Sequence, residues 1–271
     1  MKPEKVVIIC PVTRLAVKKL FYELDALICD RANTRLVLYV DTGNPTILDI
    51  CNQYKQYQGN FEEIVVEKSG NETVPHFKIS RRRDRIAQGK EDCKKFIGDA
   101  DYVMGIEDDC RIPKDAMQRL LGHIQKKDVG FVQGVQVGRW YTKYIGAWKF
   151  DNLYNPSRIY SLPYRDAWSK WLPKHLEDID GGGFYCYMTK ASLYKDADYK
   201  WKDPLGPDVW YGVGLRKKGY KCLMDWGLVI GHDTGEILYP DDKVKQVVYN
   251  KDKKGWSLES WTTNKRARKD K

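Results

Sequence analysis

The first half of the chain alternates short apolar runs with stretches in which apolar residues recur at helical spacing. The apolar runs predict strands at Val6–Cys10, Leu36–Val40, Glu63–Val66, Tyr102–Ile106 and Val129–Gln133. The stretches between them predict helices at Val17–Ile28, Ile47–Tyr57, Arg82–Ile97 and Met117–Ile124. Because strands joined by helices run parallel and are covered on both faces, we predict an α/β fold with a mostly parallel central sheet flanked by helices.

The second half has a less regular pattern. The segment Arg139–Pro173 is rich in Trp, Tyr, Pro and Arg, and we expect a long, partly ordered segment that lines or covers a site. Further strands and helices are predicted at Phe184–Met188, Ala191–Tyr194, Asp208–Lys218, Lys221–Met224 and Leu228–Ile230. Since no internal repeat or clear linker interrupts the pattern, we expect one domain over residues 1–250, with halves 1–135 and 136–250, and a basic tail over 251–271.

Composition narrows the class of protein. No apolar run approaches the roughly 20 residues of a membrane helix, and the N-terminal run is too short for a signal peptide, so we expect a cytoplasmic protein. The seven cysteines form no CxxC pair, which favours free thiols over a zinc cluster or a disulfide framework. The net charge of +10 favours polyanions and anionic small molecules as partners.

Three consecutive carboxylates, Glu107, Asp108 and Asp109, follow the predicted strand Tyr102–Ile106, and Pro113 is expected to open the next helix. An acidic triplet alone is usually a solvated turn. At the carboxyl end of a buried strand, however, it indicates a site for a hard cation such as Mg²⁺ or Mn²⁺, which binds carboxylates together with substrate phosphates.

Two more polar positions follow predicted strands, Thr13 after the first and Asp41 after the second. Because carboxyl ends of parallel strands meet at one edge of a sheet, we expect both residues to lie beside Glu107–Asp109. Asp41 could begin a turn, with Gly43, Asn44 and Pro45 as turn formers, or could accept hydrogen bonds from a base or ribose.

The run Arg81–Arg85 begins a predicted helix. Such charge runs are usually solvated. Cations near a helix N-terminus are nevertheless disfavoured by the helix dipole unless an anion is present, which makes Arg82 and Arg85 candidates for phosphate contact.

Three motifs in the second half are also candidates. Asp208 could cap its helix or act as a general base toward an attacking hydroxyl. His232 lies between Gly231 and Gly235 and could be structural or a metal ligand held in a loop. The triple glycine Gly181–Gly183 could form a turn or let the backbone approach a ligand closely.

In this order, these segments resemble the GT-A fold glycosyltransferases, most closely the family 2 group, over roughly residues 5 to 235. The segments on which this resemblance depends are Pro11–Arg14, Val40–Gly43, Arg82–Gln88, Glu107–Asp109 with Pro113, Gly181–Phe184, Asp208 with Gly219–Lys221, and His232. The chain departs from the family pattern where Glu107 replaces the first Asp of the Asp-x-Asp motif and where Pro207 precedes Asp208 in place of a Glu.

The resemblance implies a Mn²⁺ or Mg²⁺ ion, a nucleotide-diphosphate sugar as donor and transfer to a hydroxyl, with inversion favoured over retention. By residue, it implies metal ligands at Glu107, Asp109 and His232, and a catalytic base at Asp208. It implies donor-binding residues in both halves: Pro11, Thr13, Arg14, Asp41, Arg82, Arg85, Asp108, Gly182 and Gly183. Residues 1–135 then form the nucleotide- and metal-binding half, and residues 136–250 the acceptor half.

The acceptor stays open at this stage. The charge, the basic tail and the Arg/Trp/Tyr-rich middle suit a hydroxylated DNA base, flipped into the site as in viral DNA-modifying glycosyltransferases. Saccharide, lipid-linked and protein acceptors are alternatives, and no protein partner is evident. Two other classes compete, a nucleotidyltransferase with the same strand-end carboxylates and a non-catalytic nucleic-acid-binding module.

Overall fold

The computed structural model describes residues 3–57, 60–70, 79–138, 141–150, 158–161, 176–199, 206–233, 244–250 and 255–261. The first half alternates strands and helices along the chain, as predicted. Its elements are β1 (Val6–Val12), α1 (Val17–Ala26), β2 (Thr34–Val40), α2 (Pro45–Tyr57), β3 (Glu63–Lys68), α3 (Ile79–Cys93), β4 (Tyr102–Ile106), β5 (Cys110–Arg111), α4 (Ala116–Ile124) and β6 (Val129–Val135).

The described part of the second half consists mainly of short strands with two helices between them. Its elements are β7 (Val137–Gly138), β8 (Tyr141–Ile145), β9 (Ala147–Phe150), β10 (Arg158–Ser161), β11 (Leu176–Ile179), β12 (Gly181–Gly182), β13 (Cys186–Lys190), α5 (Ala191–Asp196), α6 (Pro207–Lys217), β14 (Lys221–Val229), β15 (Gly231–His232), β16 (Val244–Asn250) and β17 (Gly255–Trp261).

Eight strands form the central sheet, in the order β11-β14-β6-β13-β4-β1-β2-β3. The pairs β1/β2, β2/β3, β1/β4 and β6/β14 are parallel, whereas β13 runs antiparallel to both β4 and β6, and β11 antiparallel to β14. The predicted α/β fold with a mostly parallel central sheet is therefore confirmed.

Alternation along the strands builds a core on each face of this sheet. In β1, Val6, Ile8 and Cys10 pack on the face with α1, α2 and α4, while Val7 and Ile9 pack on the opposite face. That opposite face also carries large aromatic side chains, including Phe131, Tyr187, Tyr194, Tyr199, Tyr211 and Trp226. Burial of both faces explains why these strands read as continuous apolar runs rather than as alternating ones.

A second sheet of five strands, ordered β12-β9-β10-β16-β17, departs from the sequence prediction. The segment Arg139–Pro173 was expected to be partly ordered, with no strand assigned to it, and it contributes β8, β9 and β10. Residues 251–271 were expected to form a tail, yet β17 pairs along its length with β16. The pairs β9/β10 and β16/β17 are joined to each other by β10 and β16, which are distant in sequence, and such pairing leaves little periodicity in the sequence.

Smaller corrections concern element boundaries. The two short strands predicted at Lys221–Met224 and Leu228–Ile230 are one strand, β14, because the β6 partner runs alongside both, with a register shift between Met224 and Val229. Pro113 does not open α4, which begins at Ala116. Gly219 ends α6 as predicted, in the left-handed region at a φ of 84°.

Two further findings concern the described part of the chain. All seven cysteines are free, and all but Cys29 are buried, as the sequence led us to expect. No helix among the described residues is both long and apolar enough to span a membrane.

Candidate functional site

The carboxyl ends of β1, β2 and β4 meet at one edge of the central sheet. The backbone N–H of Asp41, after β2, donates to the carbonyl of Val12 at 2.9 Å. The backbone N–H of Thr13, after β1, donates to the carboxylate of Asp108 at 2.6 Å. The predicted proximity of Thr13, Asp41 and the acidic triplet is therefore confirmed.

Asp108 is fully buried and binds the loop between β1 and α1. Its Oδ2 accepts the backbone N–H groups of Thr13 at 2.6 Å and Arg14 at 2.7 Å, and its Oδ1 accepts Arg14 Nε at 2.6 Å. A buried carboxylate is tolerated when hydrogen bonds and an opposite charge replace its hydration. Asp108 therefore fixes the loop that begins at Thr13.

Arg14 links the two buried carboxylates of the triplet. Its guanidinium forms a salt bridge with Asp108 and a second one, from Nη1 to Asp109 Oδ2, at 3.0 Å. Repulsion between adjacent carboxylates is thus offset by a side chain of the chain itself, in the position where the sequence predicted a cation.

His232 reaches Asp109 through a short antiparallel ladder. β15 pairs with β5, so that His232 lies opposite Cys110, and the Asp233 N–H donates to the Asp109 carbonyl at 2.8 Å. The buried His232 places Nε2 at 3.1 Å from Asp109 Oδ2. The tertiary fold thereby joins two predicted metal ligands that are 123 residues apart.

Glu107 is placed differently from Asp108 and Asp109. It is partly exposed, and its backbone N–H donates to the Tyr185 carbonyl at 2.7 Å, which ties β4 to the residue before β13. Among the described residues, no three His, Cys, Asp or Glu side chains gather closely enough to hold a metal ion. Glu107 as a third metal ligand remains a prediction.

Asp109 and His232 nonetheless fit a Mn²⁺ or Mg²⁺ ion by the chemistry of their donor atoms. One carboxylate oxygen and one imidazole nitrogen lie side by side in a buried setting. Such ions commonly take only one or two protein ligands and complete their shells with water and substrate phosphate oxygens. The Arg14 guanidinium is bound to the same Oδ2 and would compete there with an ion.

Asp41 and Arg85 form a pair at the end of β2. Arg85 Nη2 lies 2.8 Å from Asp41 Oδ1, and the same nitrogen donates to the Asp41 carbonyl at 2.8 Å. Ser69 Oγ donates to the same carboxylate. Arg85 is only 7% exposed, so the arginine of the predicted basic helix faces the sheet edge rather than solvent. The side chain of Arg82 lies outside the described residues.

The triple glycine accommodates side chains of the chain itself. A Cβ at Gly182 would lie 1.5 Å from Oε1 of the buried Gln133. Gln133 Nε2 donates to Tyr185 Oη at 2.6 Å and to the Gly146 carbonyl at 3.1 Å, and the Gly183 N–H donates to that same carbonyl at 2.7 Å. Internal packing therefore already requires glycine at Gly182, and a donor-binding role for Gly182 and Gly183 remains a prediction.

Asp208 lies in the first turn of α6 but does not cap it. Gly206 is the N-cap residue, Pro207 opens the helix, and Asp208 Oδ1 accepts the N–H of the next residue, Val209, at 3.0 Å. Burial raises the pKa of the Asp208 carboxyl above its usual value, while backbone N–H groups and the charge of Lys90 act in the opposite direction. A carboxylate with a raised pKa is better suited to accept a proton.

Sequence reasoning missed Lys90, which is buried in α3. Ile86 in this helix is 45% exposed. After Arg85, the buried positions of the helix are Ala87, Lys90 and Cys93, which recur at intervals of three residues. A lysine at apolar spacing was the signal available in the sequence.

No protein-family model matches the sequence, and no curated protein matches it. Solved structures do. A mannosyltransferase, PcManGT from Pyrobaculum calidifontis in complex with GDP-Man and Mn²⁺, is 13% identical with a TM-score of 0.56, over 85% of this chain and 58% of that one. TarS from S. aureus, residues 1–349, is 12% identical with a TM-score of 0.51, over 88% and 60%.

GalNAc-T7 with UDP, GalNAc and Mn²⁺ is 9% identical with a TM-score of 0.60, over 85% of this chain and 44% of that one. The chain thus spans between 44% and 60% of the length of these structures. At such low identity the likeness concerns the fold alone, an α/β fold with a mostly parallel central sheet. On that architecture, the chain has the GT-A fold of glycosyltransferases.

Proposed function

We propose that this protein is a metal-dependent glycosyltransferase that moves a sugar from a nucleotide-diphosphate sugar to a hydroxyl acceptor. The observation that carries the proposal is the buried pair of Asp109 and His232, held beside the Asp108-bound loop at the carboxyl edge of the sheet. The GT-A fold supports it, and two structures that share this fold contain Mn²⁺ together with a nucleotide or nucleotide sugar.

In this proposal, Asp109 and His232, assisted by Glu107, would hold a Mn²⁺ or Mg²⁺ ion against the donor diphosphate. The ion would act as a Lewis acid on the departing phosphate oxygen. Arg14, which pairs with Asp109 in this structure, would supply positive charge to the same leaving group.

Residues at the ends of β1 and β2 would bind the nucleoside. Pro11 and Thr13 form one side of this region, and the Asp41–Arg85 pair forms the other. A paired carboxylate keeps lone pairs for ribose or base donors while its position is fixed by the arginine. Arg82 lies one helical turn before Arg85, and we assign it to the phosphates on that spacing.

Asp208 would act as the general base. It takes the proton of the acceptor hydroxyl while the acceptor oxygen forms a bond with the anomeric carbon of the sugar. The bond between that carbon and the diphosphate oxygen breaks, and the nucleoside diphosphate leaves. Attack opposite the leaving group inverts the anomeric configuration, and a single carboxylate in this position favours that course.

For the acceptor, we propose a hydroxylated DNA base, in keeping with the net charge of +10. Residues 262–271 of the basic tail and much of the aromatic-rich segment 139–173 lie outside the described residues. A saccharide, lipid-linked or protein hydroxyl is the alternative acceptor, and the experiments below separate these cases from a nucleotidyltransferase.

Donor binding should depend on the metal and on Asp109. In a thermal-shift panel of UDP- and GDP-sugars and nucleoside triphosphates, we expect one sugar nucleotide to raise the Tm in the presence of Mn²⁺ and much less in EDTA. Asp109→Asn should abolish the metal-dependent part of the shift, whereas Lys95→Asn, at an exposed position just after α3, should not. A shift with triphosphates alone would favour a nucleotidyltransferase, and an undiminished donor shift in EDTA would contradict the metal role.

Arg14→Gln should bind Mn²⁺ more tightly than the natural chain when no nucleotide is present, because no guanidinium competes for Asp109 Oδ2. We expect a gain of roughly tenfold, equivalent to about 1.4 kcal/mol, measured from the loss of the free Mn²⁺ signal in electron paramagnetic resonance. Affinity for the donor diphosphate should fall in the same variant. Unchanged Mn²⁺ affinity would mean that Arg14 does not compete with the ion.

Asp208→Asn should lower turnover by about 100- to 10,000-fold, the range typical of a lost general base, and should leave donor binding intact. Because the pKa of Asp208 is raised on folding, its ionised form costs stability above the ordinary carboxyl pKa. The variant should therefore melt at the same or a higher temperature at pH 7. Near-normal turnover would show that Asp208 is not the base.

Binding to DNA should be strong at low salt and weaken steeply as salt increases. Between 50 and 200 mM salt, we expect the Kd for a DNA duplex to rise by about tenfold or more, and sugar transfer to occur only on duplexes with hydroxymethylated pyrimidines. An oligosaccharide acceptor in the same assay is the control. Absence of DNA binding at low salt would remove DNA as the acceptor while leaving the transferase proposal intact.

A further inference from the structure

A cluster of charged side chains lies beside the short ladder of β5 and β15. Arg111 Nη2 donates to the carboxylate of Asp233, and Lys19 Nζ donates to the same oxygen, Oδ2, at 2.9 Å. Glu23 completes the cluster, with its Oε1 at 3.8 Å from Arg111 Nη1. The central pair is largely removed from water, because the side chain of Arg111 is 14% exposed and that of Asp233 is 9% exposed.

The two members of this pair adjoin the proposed metal ligands along the chain. Asp233 directly follows His232. Arg111 lies two residues after Asp109. Because Arg111 lies opposite Gly231 in the ladder, its contact with Asp233 is a diagonal one, a separation that long side chains can span. The ion pair therefore joins the two chain segments that each carry one ligand.

The backbone of this ladder gives little support to His232 by itself. β5 and β15 have two residues each, and a two-stranded pair is marginally stable even when it is longer. The buried Gln136 amide adds one hydrogen bond, from Nε2 to the Gly231 carbonyl, at 3.3 Å. A metal ion tolerates deviations of only about 0.2 Å in its ligand distances, so the site is sensitive to side chains that hold β15 in place.

The cluster is also attached to α1, the helix that follows the loop bound by Asp108. Lys19 and Glu23 lie one helical turn apart, so that both reach the ladder from one side of α1. Glu23 Oε2 accepts the backbone N–H of Ile112, directly after β5, at 2.8 Å. Lys19 binds Asp233, directly after β15. One helix thus contacts the ends of both strands of the ladder.

The chemistry of the pair favours a role in register. Loss of hydration offsets most of the attraction within a largely buried ion pair, and the best-attested use of such pairs is to fix how two elements align. Here the alignment is that of β15 on β5, which decides where His232 lies. A guanidinium has no acceptor atom for a metal ion, so Arg111 can act on the site only through its partner.

We propose that Arg111 is a positioning residue of the metal site, which sets the place of His232 relative to Asp109 through its ion pair with Asp233. The inference rests on the proposed function, in which His232 and Asp109 hold a Mn²⁺ or Mg²⁺ ion. Residues that orient metal ligands from outside the coordination shell typically change metal affinity by about 10- to 100-fold when they are replaced.

Arg111→Met tests the proposal because two explanations predict opposite signs. If Arg111 acted only by its charge, its removal would strengthen the binding of a nearby cation. If it positions His232, its removal weakens that binding. We expect the Kd for Mn²⁺ alone to rise by about tenfold, measured from the free Mn²⁺ signal in electron paramagnetic resonance. An unchanged or lower Kd would overturn the proposal.

Arg35→Met is the matched control. Arg35 forms a comparable ion pair, with Glu63 at 2.9 Å, near the start of β2 and therefore at the opposite edge of the sheet. Its loss should leave the Kd for Mn²⁺ unchanged.

Lys19→Met is a second variant that should fold, since the Lys19 side chain is 63% exposed. It removes the other cation from Asp233 and should raise the Kd for Mn²⁺ less than Arg111→Met does. If Arg111→Met does not fold, a rise in Lys19→Met supports the proposal and a fall contradicts it.

A double-mutant cycle with His232→Gln shows whether Arg111 acts through the histidine. His232→Gln alone should raise the Kd for Mn²⁺, and Arg111→Met should cause no further rise in that background, because the ligand that it positions is gone. An equal rise in both backgrounds would mean that Arg111 acts elsewhere, and the inference would fail.

The same measurements separate this inference from the proposed function. If the natural chain binds Mn²⁺ and Arg111→Met binds it equally well, the inference fails while the transferase proposal stands. If Arg111→Met weakens Mn²⁺ binding but no sugar nucleotide raises the Tm in the thermal-shift panel, the transferase proposal fails while the positioning role stands. A natural chain that binds no Mn²⁺ would remove both.

Discussion

The site depends on the buried carboxylate of Asp108. It follows β4 directly and accepts hydrogen bonds from Thr13 and Arg14, which follow β1, so that one side chain joins the ends of two neighbouring strands. Without these donors the carboxylate would be buried and unsatisfied, and without the carboxylate the loop N–H groups would lack a partner. Because both partners are removed from water, the contact is stable only when the carboxylate and its donors are present together. It also brings the Arg14 guanidinium to Asp109, and so sets the charge balance where His232 arrives.

A similar arrangement recurs along the same edge of the sheet. Arg85, from α3, binds both the carboxylate and the carbonyl of Asp41, and Arg14, from the β1–α1 loop, binds Asp108 and Asp109. In both cases an arginine of the chain itself offsets the charge of carboxylates at this edge of the sheet.

The second half of the chain completes this edge from the other side. β13 inserts between β4 and β6, and its approach carries Tyr185 to Glu107, Tyr187 to Lys90 and the glycines of β12 to Gln133. The glycines are required because Gln133 and the aromatic rings fill the space that side chains would need. β15 then supplies His232. The acidic residues Glu107–Asp109, which follow β4, thus lie beside residues from much later in the chain.

The sequence by itself determined the α/β alternation, because local periodicity distinguishes strands from helices. It also placed polar residues after strands β1, β2 and β4, and the carboxyl ends of parallel strands share one edge of the sheet. It also indicated Asp208 and His232 as isolated candidates. Only the tertiary structure decided that Asp108 binds the β1–α1 loop, that Arg85 pairs with Asp41 and that His232 meets Asp109. The pairing of β10 with β16 likewise required it. Such features depend on contacts between residues distant in sequence, whose burial and charge neutralisation no local pattern encodes.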